Sequence, residues 1–304
     1  MKPFQYMKLS VRFKGLDTPV YPYFLGSFIR GNFGLYLKKV ICPFRIRKEC
    51  DGCLIRARCF YGEIFESQVE KSQSGKDIPH PFVLDIKEEQ YRDEETCSDL
   101  SFDMVLFGPA LNNVEFFILV FSLMAREGIG KSRIKSKEVI VRDHNGEMVY
   151  TSKEQKILKM PQVLSFEFGN RAGTRKVRIA YCSPVRLKRE KKWVDVPDFE
   201  VLIRGALRRV MYLKGVYGES EVIHTGEIIQ SAGNVRTSFE ELELVDRYRY
   251  SNRKNVRMNF GGIIGKQEFE GDILPVHIDL LEFVSVFHIG KSSSFGAGKV
   301  GIEI

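Results

Sequence analysis

A chain of 304 residues that is 43% hydrophobic and 28% charged can bury a real core, as one large domain or two ordinary ones, and its composition excludes a disordered chain. The formal charge of +8 favours polyanionic partners, nucleic acid or an anionic surface, without choosing between them. The opening MKPFQYMKLSVRF alternates apolar and polar residues and lacks the features of a signal peptide, and the longest apolar run, VEFFILVFSLMA from Val114, is twelve residues, too short to span a bilayer. A soluble, cytoplasmic protein with no membrane association is the expectation.

In chain order, KLSVRF is a short strand, and a helix follows from about Phe24 to Lys39. Phe24, Leu25, Phe28, Ile29, Phe33 and Leu37 recur at helical spacing and mark its buried side, with Ser27, Arg30, Gly31, Gly34 and Lys38 opposite. Glycine inside a helix costs about 1 kcal/mol relative to alanine. Two of them on one face point to close packing of another segment or close approach of a ligand. Cys42, Cys50, Cys53 and Cys59 then fall within eighteen residues as CPFRIRKECDGCLIRARC. Four thiolates with one CxxC pair suit tetrahedral zinc or an iron–sulfur cluster; four reduced thiols in a surface knuckle are the plain alternative. Cys97 and Cys182 stand apart.

HPFVLDI from His80 and DLSFDMVLFG from Asp99 have the alternation and composition of strands. A nearly all-apolar helix from Asn113 to about Arg126 leads through a glycine-rich basic turn, EGIGKSRIK, into a strand. This half is β-α-β-β-α-β, the ferredoxin-like order. The polar, lysine-rich stretch SKEQKILKMP (152–161) separates it from the second half, giving expected domains of 1–152 and 153–304.

The second half repeats the order. QVLSFEF and KVRIAYCSPVRL are strands, and a helix spans about Phe199 to Lys214. Phe199, Leu202, Ile203, Ala206, Leu207 and Val210 face its core, while Arg204, Arg208 and Arg209 are expected toward solvent. SFEELELVDRYRYS and VRMNFGGIIGKQEFEG continue as strands, and a last helix runs from about Ile273 to Phe287. The turn HIGKSSSFGAGKV (288–300) and a closing strand, KVGIEI, complete the chain. The expected fold is thus α+β, two tandem ferredoxin-like (βαββαβ) domains, each with helices on one face of an antiparallel sheet.

HIGKSSSFGAGKV occupies the place that EGIGKSRIK holds in the first half, so it is not a linker. A nucleotide phosphate loop requires strand, loop, then helix, and here the order is helix, loop, strand. Glycines still let backbone N–H groups approach an anion, and Lys291, Ser292, Ser293, Ser294 and Lys299 around Gly290, Gly296 and Gly298 add donors. Upstream, DRYRYSNRKNVRMNFGG alternates arginine with tyrosine: Arg247 and Arg249 on one strand face, Tyr248 and Tyr250 on the other, with Arg253, Lys254 and Arg257 beyond. That mixture suits single-stranded RNA, although a solvated strand face has the same composition. The basic run VRLKREKKW from Val185 is less specific and is consistent with a hairpin tip.

LGSFIRGNFGLYLKK with the cysteine knuckle and CFYGEIFE, SFDMVLFGPALNNVEFFILVFSLMAREGIGK, RYRYSNRKNVRMNFGGIIGKQEFEGD and HIGKSSSFGAGKV together resemble the CRISPR-associated repeat-cleaving endoribonucleases of the RAMP superfamily, over nearly the whole chain. The resemblance implies binding of CRISPR repeat RNA in the precursor transcript. It further implies one metal-independent cut per repeat, by 2′-hydroxyl attack, leaving a 2′,3′-cyclic phosphate and a 5′-hydroxyl. No catalytic cofactor is implied. Members of the family commonly carry a histidine in or just after the first helix, and this chain has none there. Arg30 and Lys38 are the available substitutes, for charge stabilisation rather than as bases, and His288 has the pKa range for acid–base work. The resemblance also leaves room for a noncatalytic RNA-binding subunit of a CRISPR effector complex. Effector subunits and a second copy of the chain are partners it leaves open.

Overall fold

In a computed structural model, residues 1–18, 25–44, 50, 52–66, 78–86, 98–219, 221–246, 248–251 and 256–304 are described. The chain divides into two units, Gln5–Leu164 and Met1–Phe4 with Ser165–Ile304.

The first unit contains β1 (Phe4–Leu16), α1 (Leu25–Ile41), α2 (Phe60–Phe65), β2 (Phe82–Asp85), β3 (Leu100–Phe107), α3 (Val114–Glu127), β4 (Ser136–Arg142), β5 (Met148–Thr151) and β6 (Lys156–Ile157). Its antiparallel sheet runs β2-β3-β1-β4-β5-β6. Tyr6 pairs with Phe107 and Phe13 with Leu100, and Val11 pairs with Val141 on the other side. This register aligns Met7, Leu9, Val11 and Phe13 on one face, where all four are buried. Ile29, Phe33 and Leu37 of α1 and Phe117, Val120 and Phe121 of α3 are buried in the same core, and Phe33 stacks on Phe117 at 5.2 Å. Together with the preceding 3-10 turn, Gly108–Glu127 is long and apolar enough by length and composition to cross a membrane. The apolar side chains of α3 are instead the centre of this core.

The break at 164/165 lies beyond the expected 152/153, because β5 and β6 extend the first sheet by a hairpin. Neither that hairpin nor α2 was expected from the sequence. β7 (Leu164–Phe166) leads into the second unit.

The second unit contains β8 (Thr174–Val185), β9 (Leu187–Arg189), β10 (Lys192–Val194), α4 (Phe199–Tyr217), α5 (Thr225–Ala232), β11 (Arg236–Val245), β12 (Tyr248–Ser251), β13 (Val256–Asn259), β14 (Gly262–Ile273), α6 (Pro275–Phe287) and β15 (Val300–Glu303). Its main sheet runs β11-β14-β8-β15, so β8 and β14 are internal, as β1 and β3 are in the first unit. The Asp198 carboxylate accepts from Val201 N–H at 2.9 Å and caps the start of α4. The two long strands expected between 238 and 271 are each broken in two, with β12 and β13 pairing as a separate ribbon. Gly261 and Gly262 mark one break. A Cβ on Gly261 would lie 2.3 Å from Val245 O, and one on Gly262 would lie 2.5 Å from Val185 O.

Candidate nucleic-acid interface

The segment between α6 and β15 folds back on itself. His288 follows α6 with φ 59° and ψ 150°, a region that residues with side chains rarely occupy. Its ring is fully buried, and Nδ1–H donates to Ala297 O at 3.0 Å. Ile289 N–H donates to Gly298 O at 2.7 Å, closing the turn into a ring. Lys299 N–H donates to the Ser183 hydroxyl at 2.8 Å, which ties the ring to β8. Gly298 has φ +84°, and a Cβ there would lie 1.9 Å from Ile289 O, so the closure requires glycine.

Inside the ring, Ser292 is left-handed (φ 68°, ψ 23°), Ser293–Phe295 form one 3-10 turn, and Gly296 is left-handed again (φ 87°, ψ 0°). The left- to right-handed step from Ser292 to Ser293 turns the N–H groups of residues 292–294 toward one point, a nest that suits an anion, whereas Phe295, Gly296 and Ala297 N–H donate within the turn, to Ser292 O, Ser293 O and Ser292 O. Lys291 is exposed, and Gly290, Ser292 and Lys299 are partly exposed, whereas Ser293, Ser294, Gly296 and Gly298 lie inside.

Arg209 of α4 is tied into the ring. Expected toward solvent, it is buried instead: Nη2 donates to Ser293 Oγ at 2.9 Å and to Phe287 O at 2.8 Å, and Nε donates to the same carbonyl at 3.2 Å. Burial lowers its pKa to about 10, which leaves the guanidinium charged at neutral pH. The correction has a local cause: the last carbonyls of α6 need donors, and their dipole end attracts a cation. Arg204 and Arg208 are exposed, as expected.

In the first unit, Arg30 lies on α1 with its guanidinium 4.4 Å from the centroid of the Phe65 ring. Its Nη2–H donates to His80 Nε2 at 2.7 Å, and His80 Nδ1–H donates to Ile64 O at 3.1 Å. The carbonyl can only accept, so the hydrogen bonds fix the neutral Nδ1–H tautomer. Burial, reinforced by the Arg30 charge, pulls the His80 pKa down to about 3. The ring lies between Phe65 and Phe82, 5.7 Å from each. Sequence reasoning passed over His80; its only signal was its place just ahead of a strand. Lys38 reaches the other end of α2, with Nζ 5.6 Å from the Tyr61 ring centroid. Gly34, between them, serves close packing: a Cβ would meet the Phe65 ring at 2.3 Å, whereas Gly31 has nothing within 4 Å. The expected catalytic set is thus divided, with Arg30 and Lys38 in the first unit and His288 in the second.

Cys42, Cys50, Cys53 and Cys59 are partly buried free thiols. Among the described residues, no group of three or more His, Cys, Asp or Glu side chains is gathered to hold a metal ion, so the expected zinc or iron–sulfur knuckle does not assemble from them. Burial and the neighbouring Glu66 carboxylate push the Cys50 thiol up. Of the basic tyrosine stretch, Arg247, Arg253 and Lys254 lie outside the described residues. Arg249 and Arg257 lie on β12 and β13, where they pair with Met258 and Tyr250; their side chains are outside the description.

Two family models match the chain. AF_1859_N, an N-terminal domain, covers residues 4–162, more than half of the chain, and CRISPR-associated endoribonuclease Cas6 covers residues 179–300. An uncharacterized protein of Archaeoglobus fulgidus is 23% identical over 96% of this chain and 98% of its own length. Among solved structures, a Cas6 (TTHB231) product complex aligns with a TM-score of 0.60 at 12% identity, over 98% of this chain and 99% of that one. Thermus thermophilus Cas6 (TTHB231) aligns at 0.56 and 12%, over 100% of both chains. A chain of a partial Cas6-RT-Cas1–Cas2 complex aligns at 0.57 and 12%, over 99% of this chain and 46% of that one. The likeness establishes the fold, two tandem ferredoxin-like halves.

Proposed function

We propose a function on one premise: the chain belongs to the family of CRISPR-associated Cas6 endoribonucleases, with a first half that belongs to the AF_1859_N family of N-terminal domains. Its general role is the processing of CRISPR RNA. The finer reading is that it binds the repeat within the precursor transcript and cuts once per repeat without a metal ion. The 2′-oxygen attacks the adjacent phosphorus, the bond to the 5′-oxygen breaks, and the 2′-hydroxyl proton is replaced by one delivered to the leaving oxygen. The products are a 2′,3′-cyclic phosphate and a 5′-hydroxyl end.

The observation that carries this reading is the serine nest of residues 292–294 closed over the charged Arg209, a preorganised seat for a phosphate. Lys291 and Lys299 add charge at its rim, as a backbone contact requires. In the first unit Arg30 is the candidate for stabilising the developing oxyanion, with neutral His80 fixing its fork and Lys38 adding charge. For His288 the geometry favours positioning over acid–base chemistry. Its ring is covered, and its Nδ1–H is already bonded to the turn it shapes. Association with other CRISPR proteins, as in the Cas6-RT-Cas1–Cas2 neighbour, is a further expectation, and co-purification of tagged chain with such partners tests it.

Purified protein incubated with repeat RNA in EDTA is expected to yield one cut per repeat with cyclic-phosphate ends. An RNA with a single 2′-deoxy substitution at the junction is expected to bind and stay intact. Cleavage of that substrate would overturn the mechanism. Binding of normal repeat RNA without any cut would overturn the nuclease reading and leave an RNA-binding subunit.

A further inference from the structure

β9 and β10 form a ribbon joined by Glu190 and Lys191, with φ of 49° and 70°, the signs of a type I′ turn. The register sets Trp193 opposite Lys188. Strand alternation then places Arg186, Lys188 and Trp193 on one face and Leu187 on the other. Leu187 anchors the ribbon. It is 3% exposed, and a Cβ on Gly205 of α4 would meet Leu187 Cδ2 at 2.7 Å and Ile289 Cδ1 at 3.1 Å. Ile289 closes the serine-rich turn, so the ribbon and the turn stand on the same spot of α4. They also touch directly, since a Cβ on Gly290 would lie 3.0 Å from Arg186 O.

Trp193, 50% exposed, is the single tryptophan of the chain. Lys188 Nζ stands 4.2 Å from its ring and the Arg186 guanidinium carbon 5.1 Å, and the adjacent tip residues Lys191 and Lys192 are exposed. Both cations thus lie over the ring, and the half of the indole that stays exposed presents a stacking surface with phosphate partners next to it. An unpaired nucleobase has the matching chemistry, a free π-face with a phosphate on either side. Bases inside a duplex stack on each other and offer no such face.

We propose that this ribbon is a base-stacking site: Trp193 takes one unpaired nucleobase of the RNA strand whose phosphate lies in the serine-rich turn, with Arg186 and Lys188 on the neighbouring phosphates. The inference rests on the RNA-binding reading given above and adds the position at which single-stranded character is sensed.

Trp193 is its own reporter, because no other tryptophan contributes to emission. The full chain is titrated with an oligouridylate of about ten nucleotides, following tryptophan emission together with the anisotropy of a long-wavelength label on the RNA. Emission is expected to fall and to saturate along the anisotropy curve. An abasic sugar-phosphate oligomer of the same length is expected to bind without that fall. Trp193→Ala is expected to weaken oligouridylate binding roughly ten-fold and abasic binding little, and Trp193→Phe to retain most of the affinity. Binding with unchanged emission, or equal affinity in the alanine variant, overturns the stacking site even if repeat cleavage proceeds. Quenching by oligouridylate together with failure of repeat cleavage upholds the site while the nuclease reading falls, and absence of oligouridylate binding removes the stacking site alone.

Discussion

The two glycine-rich turns occupy the same point of two copies of one topology, yet they are built differently. The first closes on itself through Ile129 and Ile134, which exchange N–H···O bonds of 2.8 and 3.0 Å; Lys39 of α1 pairs with the Glu127 side chain at its start, but its backbone rests on neutral groups of α1. Gly130 N–H donates to Asn32 Oδ1 at 2.8 Å, and the Tyr36 hydroxyl donates to Gly128 O at 2.7 Å. The second turn rests on α4, the topological counterpart of α1, but through a buried guanidinium. It is longer, and the extra length holds the serine nest. A scaffold needs only the first kind of turn. The guanidinium is compensated by the Phe287 carbonyl and the Ser293 hydroxyl, and on the proposed reading it also supports a phosphate above the turn.

Several experiments break or sharpen that contrast. Gly128→Ala and Gly298→Ala are each expected to cost roughly 3 kcal/mol in urea unfolding, because each needs positive φ and each Cβ would enter a backbone carbonyl, at 2.3 Å from Arg133 O and 1.9 Å from Ile289 O. Only Gly298→Ala is expected to weaken RNA binding as well; equal binding losses would erase the distinction.

The anchors of the two units differ in acid. The folded-state pKa of His80, about 3, lies below its ordinary value near 6.5. The unfolded chain therefore takes up a proton that the folded unit refuses as pH falls between these values. Stability that is complete above pH 6.5 is lost by about 1.4 kcal/mol per pH unit inside that window. Unfolding at pH 7 and pH 5 measures the drop, and His80→Gln is expected to remove about 2 kcal/mol of it. Arg209 stays charged throughout, so its contacts add no such slope.

A smaller effect separates the rims. Lys291→Ala with Lys299→Ala is expected to lower RNA affinity and reduce the magnitude of the log–log salt slope by about 1 per lysine. The same change at Lys131 and Lys135 of the first turn is expected to leave binding and slope unchanged. The smallest effect is a gain: Gly31→Ala in α1 and Gly215→Ala in α4, with open space around both, are each expected to add about 0.5–1 kcal/mol of stability without altering RNA binding.

The fold was legible because periodicity is local. Phe28, Ile29, Phe33 and Leu37 announced α1, and the matching order of elements announced the repeat. The long strands were misjudged where Gly261 and Gly262 pass against Val245 and Val185, contacts that no single segment records. Arg209 and His80 escaped for the same reason. The spacing of α4 sets Arg209 at the edge of its core face, three residues after Ala206 and seven after Leu202, and the end of α6, 78 residues later, supplies the carbonyl that holds it there. His80 acquires its role from Arg30, 50 residues earlier, and from rings on α2 and β2. Trp193 was visible only as part of a basic run, because its exposure depends on which face Leu187 anchors.

Phe4 has a consequence for how the molecule is made. Buried in the second unit, it packs edge-on against Phe283 at 5.6 Å and Phe287 at 5.1 Å, while Lys2 O accepts from Lys214 Nζ at 2.7 Å. These residues leave the ribosome well before their partners on α6. The second half therefore has no complete core until α6 has been made, and closing so long a loop makes its assembly the slow step. Residues 165–304 expressed alone would carry a phenylalanine-sized hole and fold poorly, whereas a peptide of the first residues supplied in trans would fill it.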